Sequence, residues 1–211
     1  MTVTDVNVVK SAIFERPDDA NKGTLGSLLC VCGSYGMAGA AVMSAKGALR
    51  TGIGLAKCAL PRSIYPIVAQ TILESVYYPL SENADGRISK VNVPFLVSES
   101  SKSSATLVGC GLGVCDDTLK IVFSLIENST TPLVLDADAL NCVAKQPEIL
   151  LRKKAPIIIT PHPGEMSRLT GLATPLVNAE RERVALDFTQ KYGVVTVLKL
   201  SLIHISEPTR P

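Results

Sequence analysis

Residues 26–41, with the sequence GSLLCVCGSYGMAGAA, decide how this chain folds. The first half is a short continuous apolar run, which is typical of a strand that is buried on both faces. The glycines that follow indicate a tight turn, and the alanine-rich end predicts a helix. Strand, glycine turn and helix together form the unit from which parallel sheets with covering helices are built.

The same alternation of apolar runs and helix-like segments continues along the chain. After the strand at 26–33, further strands are predicted at 55–60, 75–80, 105–108, 131–135, 155–159 and 194–200. Helices are predicted between them, including 116–128, where Asp116 or Asp117 would be the N-cap. The sequence therefore predicts an α/β fold with a mostly parallel central sheet and helices on both faces.

Composition restricts the class of protein. The chain has 211 residues, a formal charge of +2, no Trp and only 4% aromatic residues, which argues against a nucleic-acid partner. Neither a signal peptide nor a membrane-spanning apolar run is visible. None of the six cysteines forms a C-x-x-C pair, so buried free thiols are favoured over zinc or disulfides. These features predict a cytoplasmic protein without a bound metal of its own.

Four predicted strands end in polar or glycine-rich loops: GSYGMAG, GCGLG, DADALN and TPHPGE. Ligands of parallel α/β sheets bind at the carboxyl ends of the strands, so the four loops predict a ligand site there. Glycines let the backbone approach a ligand closely, and a helix N-terminus suits a phosphate. Each loop has a simpler reading as a tight turn or packing loop, and the first matches a dinucleotide fingerprint only loosely.

Two of these loops contain ionisable side chains. Asp136 and Asp138 lie on opposite sides of an extended chain, so one can face the site while the other caps a helix that begins near Ala139. A carboxylate here could bind a sugar hydroxyl or a metal-bound water, or serve only as a cap. His162 is restrained by a proline on each side and is predicted to project from a strand end towards a ligand.

The loops together resemble a known family. The segments NKGTLGSLLCVCGSYGMAGAAVMSAKGALRTGIGL, VGCGLG, PLVLDADALN and ITPHPGEMSRLTG are similar in order and spacing to the bacterial ADP-dependent (S)-NAD(P)H-hydrate dehydratases. That resemblance, from about residue 15 to residue 199, implies a ribokinase-like three-layer sandwich. It also implies repair of hydrated NADH and NADPH, in which ADP phosphorylates the ring hydroxyl with the help of Mg²⁺ and phosphate then leaves.

The resemblance also assigns site residues. Three match positions that contact the hydrated dinucleotide, and these are Ala40, Gly111 and His162. Asp136 and Asn141 would line the same cavity, and Lys199 matches the lysine that opens the nucleotide-binding loop. Small molecules are the implied partners, with neither nucleic acid nor membrane involved. A homo-oligomer, and an NAD(P)H-hydrate epimerase that is fused or separate, remain open.

The resemblance ends after Lys199. The family continues with glycine, threonine and later a GSGD segment whose aspartate is the base, whereas this chain continues as LSLIHISEPTRP. The final ten letters resemble translated sequencing-adaptor DNA. We therefore expect an incomplete dehydratase domain at 1–199, a non-native tail at 200–211, no catalytic residue and little turnover. The alternatives are a ribokinase-like kinase for a vitamin precursor and a non-catalytic dinucleotide-binding fragment.

Overall fold

A computed structural model describes residues 23–199, which contain a seven-stranded sheet in the order β3-β2-β1-β4-β5-β6-β7. Every pair of neighbouring strands is parallel, which confirms the predicted sheet. The strands are β1 (Ser27–Val31), β2 (Leu55–Pro61), β3 (Val76–Leu80), β4 (Ala105–Val108), β5 (Leu133–Leu135), β6 (Ile157–Ile159) and β7 (Val195–Thr196).

Helices connect the strands of this part of the chain. They are α1 (Ala38–Arg50), α2 (Tyr65–Thr71), α3 (Val93–Ser101), α4 (Asp116–Asn128), α5 (Asp138–Val143), α6 (Pro163–Thr170), α7 (Thr174–Ala179) and α8 (Arg181–Tyr192). Short 3-10 segments lie at Arg62–Ile64, Lys90–Asn92 and Pro147–Arg152.

One predicted helix cap is wrong. The N-cap of α4 is Cys115, whose side chain and that of Thr118 form a reciprocal capping box. Asp116 and Asp117 instead lie in the first turn, where their charges are favourable beside the positive end of the helix. The helix therefore begins where the sequence indicated, but a thiol replaces the expected carboxylate as the cap.

Alternate side chains of the strands supply two separate core layers. In β1, Leu29 and Val31 join a large apolar cluster on one face, whereas Cys30 and Cys32 join a smaller cluster on the other. Helices α1 and α2 cover the smaller cluster, and α3, α4, α5, α6 and α8 contribute to the larger. Burial on both faces explains why the strands are continuous apolar runs, and the three layers confirm the predicted sandwich.

The strand order positions the ligand edge. From β1 the chain proceeds outward through β2 to β3, then returns to β4 on the other side of β1 and proceeds outward to β7. The helices that follow β1 and β4, α1 and α4, therefore pack on opposite faces of the sheet, and ligands of such folds bind near the point where this change of direction occurs. The glycine loops GSYGMAG and GCGLG follow these two strands.

The last strand is shorter than predicted, because the ladder of β7 contains only Val195 and Thr196. Hydrogen bonds to the end of β6 nevertheless continue beyond it, from Val197 N to Ile159 O and from Lys199 N to Pro161 O, both at 2.8 Å. Lys199 is thereby held beside the carboxyl edge of the sheet. The tail predicted at 200–211 lies outside the described residues.

Candidate functional site

The two glycine loops contact each other directly. The Ser34 hydroxyl donates a hydrogen bond to the Gly111 carbonyl at 2.8 Å, and the Gly33 amide donates to the Cys110 carbonyl at 2.8 Å. Gly111 has a φ of +66°, and a methyl group there would lie 2.6 Å from Cβ of Ala40. Glycine is therefore required at 111, and two predicted substrate residues, Gly111 and Ala40, are neighbours.

Asp136 lies at the end of β5 between two other loops. Its Oδ1 accepts a hydrogen bond from Lys199 Nζ at 2.7 Å, and its Oδ2 lies 3.7 Å from the Cys110 thiol, which donates to it. Partial burial alone would raise the pKa of Asp136, but hydrogen bonds from Lys199 and Thr160, with the lysine's charge, lower the pKa below its ordinary value. Asp136 is therefore ionised and paired.

Asp138 does not cap the helix as predicted. Helix α5 begins at Asp138 itself, after Ala137 with a φ of +50°, and no side chain caps it. The Asp138 carboxylate instead accepts a hydrogen bond from the Gly113 amide at 2.8 Å, so that it anchors the second glycine loop. Asp136 and Asp138 do have separate roles, since one faces Lys199 and the other holds a neighbouring loop.

Asn141 belongs to the same group of polar contacts. Its amide nitrogen donates to Asp138 Oδ1 at 3.2 Å, and its amide oxygen accepts from Arg168 Nε at 2.8 Å. Arg168 belongs to α6, so Asn141 links the loops that follow β5 and β6. Sequence reasoning missed Arg168, because β6 and the first part of α6 separate it from this loop and no motif marks it.

His162 is the N-cap of α6. Its Nδ1 accepts hydrogen bonds from the Gly164 and Glu165 amides at 3.0 and 3.4 Å, and its own amide donates to Glu165 Oε2 at 2.8 Å. A neutral imidazole in this arrangement carries its proton on Nε2, which lies 3.4 Å from Glu165 Oε1. The side chain remains 49% exposed, so one side of the ring is free to meet a ligand.

Two cavities adjoin the glycine loop GSYGMAG that follows β1. A cavity of about 410 Å³ lies between this loop and the end of β2, and a second, of about 450 Å³, continues towards the loop after β3. Tyr35 and Ser63 line both of them. The sequence analysis did not select either residue, although Ser63 follows a strand end and could have been found by that position.

A resident metal ion is not supported by the side chains at this edge. Among residues 23–199, no three His, Cys, Asp or Glu side chains come together as metal ligands. Of the two carboxylates beside the second glycine loop, Asp136 is paired with Lys199 and Asp138 accepts from the Gly113 amide. These residues do not form a Mg²⁺ cage, so a Mg²⁺ ion could be held here only as part of a metal–nucleotide complex whose phosphates supply most ligands.

The described residues thus define an α/β protein of the ribokinase-like fold, with polar side chains of several loops gathered at the carboxyl edge of its sheet. No described helix has the length and apolarity to cross a bilayer. The sequence also matches a family model for NAD(P)H-hydrate dehydratase over residues 28–210. The chain belongs to the NAD(P)H-hydrate dehydratase family.

Individual relatives agree with this assignment. The chain is 36% identical to the bifunctional NAD(P)H-hydrate repair enzyme Nnr of Thermofilum pendens, with 92% of this chain and 37% of that protein covered. It is 31% identical to the ADP-dependent (S)-NAD(P)H-hydrate dehydratase of Neisseria meningitidis, with coverages of 92% and 62%. The chain therefore spans less than two thirds of these relatives.

A solved structure has the same fold. The ADP/ATP-dependent NAD(P)H-hydrate dehydratase of Bacillus subtilis, co-crystallised with ATP and Mg²⁺, superposes on this chain with a TM-score of 0.74 at 27% identity. The superposition covers 92% of this chain and 65% of that one.

Proposed function

We propose that this chain acts in the restoration of NADH and NADPH from the S epimers of their hydrates at the expense of ADP, with slow turnover because its sequence contains no GSGD aspartate. The ring hydroxyl is phosphorylated, and elimination of phosphate then re-forms the ring double bond. Membership of the family and the name of the Neisseria meningitidis relative support this activity. The proposed location is the cytoplasm, where the reaction repairs nicotinamide cofactors.

The contact between Asp136 and Lys199 carries the proposal. Asp136 matches the substrate cavity of the family and Lys199 matches its nucleotide loop, and here the two side chains are 2.7 Å apart. Phosphoryl transfer requires the donor phosphate and the acceptor hydroxyl to be held next to each other. A sheet edge at which the two sets of residues meet supports a transfer between two bound ligands.

The chain's own residues are assigned binding and orienting roles. Gly111 and Ala40 pack directly against each other, and the half-buried Ala40 at the edge of this contact is assigned to the substrate. The exposed side of the His162 ring contacts and orients the substrate, while Glu165 and the start of α6 hold the ring in place. The ammonium of Lys199, which is 41% exposed, turns from Asp136 to a nucleotide phosphate.

ADP is the proposed phosphoryl donor, and ATP is the donor to compare with it. Mg²⁺ would enter with the nucleotide and neutralise the charge of its phosphates. An NAD(P)H-hydrate epimerase, fused or separate, is the proposed protein partner, because the curated relatives include bifunctional repair enzymes. A second copy of this chain, in a homo-oligomer, is a further proposed partner.

The decisive experiment supplies the full chain with hydrated NADPH, Mg²⁺ and either ADP or ATP. Recovery of NADPH is followed by its near-ultraviolet absorbance, and binding of NADPH and ADP is measured separately by calorimetry. Thiazole and pyridoxal substrates test kinase activity in parallel. Lys199→Met is compared with Lys154→Met, which removes an exposed lysine away from the site.

The outcomes separate the candidate functions. ADP-dependent recovery of NADPH that is lost in Lys199→Met and kept in Lys154→Met supports the proposal. Binding of NADPH without recovery supports the non-catalytic dinucleotide-binding alternative. Phosphorylation of thiazole or pyridoxal supports the kinase alternative, and absence of both binding and turnover overturns the assignment of the site.

A further inference from the structure

Four thiols lie in the smaller core layer, on one face of the sheet. Cys30, Cys32 and Cys58 are buried there beneath α1, and Cys110 packs against them from the second glycine loop. Cys110 is only partly buried, and its thiol also contacts the Asp136 carboxylate at 3.7 Å. A partly exposed thiol therefore connects this buried layer with the candidate site.

Cys32 and Cys110 are close enough to be joined covalently. They follow β1 and β4, which pair in parallel with Val31 opposite Val108. The backbone remains hydrogen-bonded beyond the strands, from Gly33 N to Cys110 O at 2.8 Å, and Cys110 packs against the cluster that contains Cys32. This register places Cys110 opposite Gly33 and diagonal to Cys32, at a Cα separation of about 6 Å for strands about 4.8 Å apart, and a disulfide spans Cα separations of roughly 4.4–6.8 Å.

We propose that Cys32 and Cys110 form a redox modification site, which a peroxide converts reversibly into a disulfide. The Cys110 thiolate attacks a peroxide oxygen and breaks the O–O bond, which gives a sulfenic acid and, from hydrogen peroxide, hydroxide. The Cys32 thiolate then attacks the sulfenic sulfur and displaces the oxygen, which leaves as water after protonation. Overall, two thiols and one hydrogen peroxide yield one disulfide and two waters.

The surroundings of the two thiols set this order of events. A hydrogen bond from Cys32 lowers the pKa of Cys110, against burial and the charge of Asp136, which raise it. The same hydrogen bond and complete burial raise the pKa of Cys32. The Ser44 hydroxyl, which donates to the Ala40 carbonyl, lowers the pKa of both thiols, and Lys199 lies beyond Asp136. Cys110 is thus the accessible nucleophile, and Cys32 is the resolving thiol.

Oxidation would alter the candidate site as well as the core. A disulfide takes the thiol proton of Cys110 away, so Asp136 loses the donor that now lies 3.7 Å from its Oδ2. It also ties the loop of Gly111 to the end of β1. The effect on ligands rests on the proposed function, whereas the formation of the disulfide does not.

The test uses the full chain under native conditions. The protein is treated with hydrogen peroxide, quenched in acid, alkylated and digested, and the peptides are identified by mass spectrometry with and without prior reduction. We expect one peptide pair that joins Cys32 to Cys110 and disappears on reduction. Peroxide that leaves both thiols alkylatable, or that joins other cysteines instead, would overturn the proposal.

Variants distinguish the two thiols. Cys32→Ser should abolish the linked pair and leave Cys110 as a sulfenic or sulfinic acid, whereas Cys110→Ser should leave Cys32 unoxidised. Cys142→Ser is the matched control, because Cys142 is buried in the other core layer, and it should give the same linked pair as the original chain. Oxidation of Cys32 in Cys110→Ser would contradict the assigned order.

Circular dichroism shows whether each variant is folded. If a variant does not fold, the peptide map of the unsubstituted chain alone decides the proposal. Calorimetric titration of ADP and NADPH before and after oxidation reports the effect on the site. Weaker binding that reduction restores supports the coupling to Asp136. A linked pair with unchanged binding leaves the modification site standing and refutes its influence on ligands.

Discussion

Replacing Gly111 by alanine tests how tightly the two glycine loops are packed. The backbone at Gly111 has a φ of +66°, and the new Cβ would lie 2.6 Å from Cβ of Ala40 and 3.1 Å from Cβ of Met37. The left-handed conformation costs an alanine about 1–2 kcal/mol, and overpacking of a filled site costs about 1–3 kcal/mol. We therefore expect a loss of about 2–5 kcal/mol in the free energy of unfolding.

Urea denaturation followed by circular dichroism is the assay, since the chain has no Trp. At an m-value of about 2 kcal/mol/M, the midpoint should fall by roughly 1–2.5 M. Gly36→Ala is the matched control, because Gly36 has a φ of +81° but no neighbouring atom within 4 Å of the new Cβ. It should therefore suffer the backbone strain alone, about 1–2 kcal/mol.

A second substitution separates the steric part of the effect. Ala40→Gly removes the methyl group that the new side chain would meet, at a cost of about 1 kcal/mol in helix propensity. The double variant should recover about 1–3 kcal/mol relative to the sum of the single effects. A Gly111→Ala variant no less stable than Gly36→Ala, or a double variant without recovery, would refute the packing argument.

Substitutions at three further positions test other contacts. His162→Ala should lose ligand affinity and about 0.5–2 kcal/mol of stability with its helix cap, whereas His162→Asn should lose affinity alone, as calorimetry and urea denaturation will show. Lys199→Met should raise the pKa of Asp136, measured by NMR. The pKa of Asp136 in the folded chain is below its ordinary 3.8, so the ion pair with Lys199 stabilises the original chain above that pH. This stabilisation is lost as the pH falls through the lowered pKa. The free energy of unfolding of Lys199→Met should therefore decrease less on acidification than that of the original chain. Ser34→Ala should cost about 1–3 kcal/mol by leaving the Gly111 carbonyl unpaired.

The sheet could be predicted because burial on both faces makes each strand a continuous apolar run. All seven predicted strands are present in the structure, and their order follows the chain except at the return to β4. The end of the last strand could not be predicted, since the length of a ladder depends on its neighbour. Strand β6 provides only three residues, so β7 is shorter than its apolar run.

The helix caps were harder to predict, because capping preferences describe an isolated helix end. The sequence predicts Asp116 or Asp117 as one helix cap, and either Asp136 or Asp138 as another, by their side-chain type. In the folded chain, Cys115 forms the cap of α4 with Thr118, and Asp138 is used by the Gly113 amide of another loop. Tertiary contacts compete for each carboxylate, and a single sequence does not display them.

The loops of the site were predicted together, but their contacts were not. Motif order placed Asp136 and Lys199 at the same edge of the sheet, yet these residues are 63 positions apart in the chain. The pairing of their charges depends on the register of β5, β6 and the residues after β7. The proximity of the two thiols could not be predicted either, because Cys32 and Cys110 are brought together only by the pairing of β1 with β4.

The position of β1 between β2 and β4 affects how the chain can fold during its synthesis. Ser34 and Gly111, which hold the two glycine loops together, are 77 residues apart. At a translation rate of about 5–20 residues per second, the edge of β1 that pairs with β4 remains unpaired for roughly 4–15 s, until β4 has been synthesised. During that interval an apolar strand edge is open to mispairing or to a chaperone, and slower translation would lengthen the exposure.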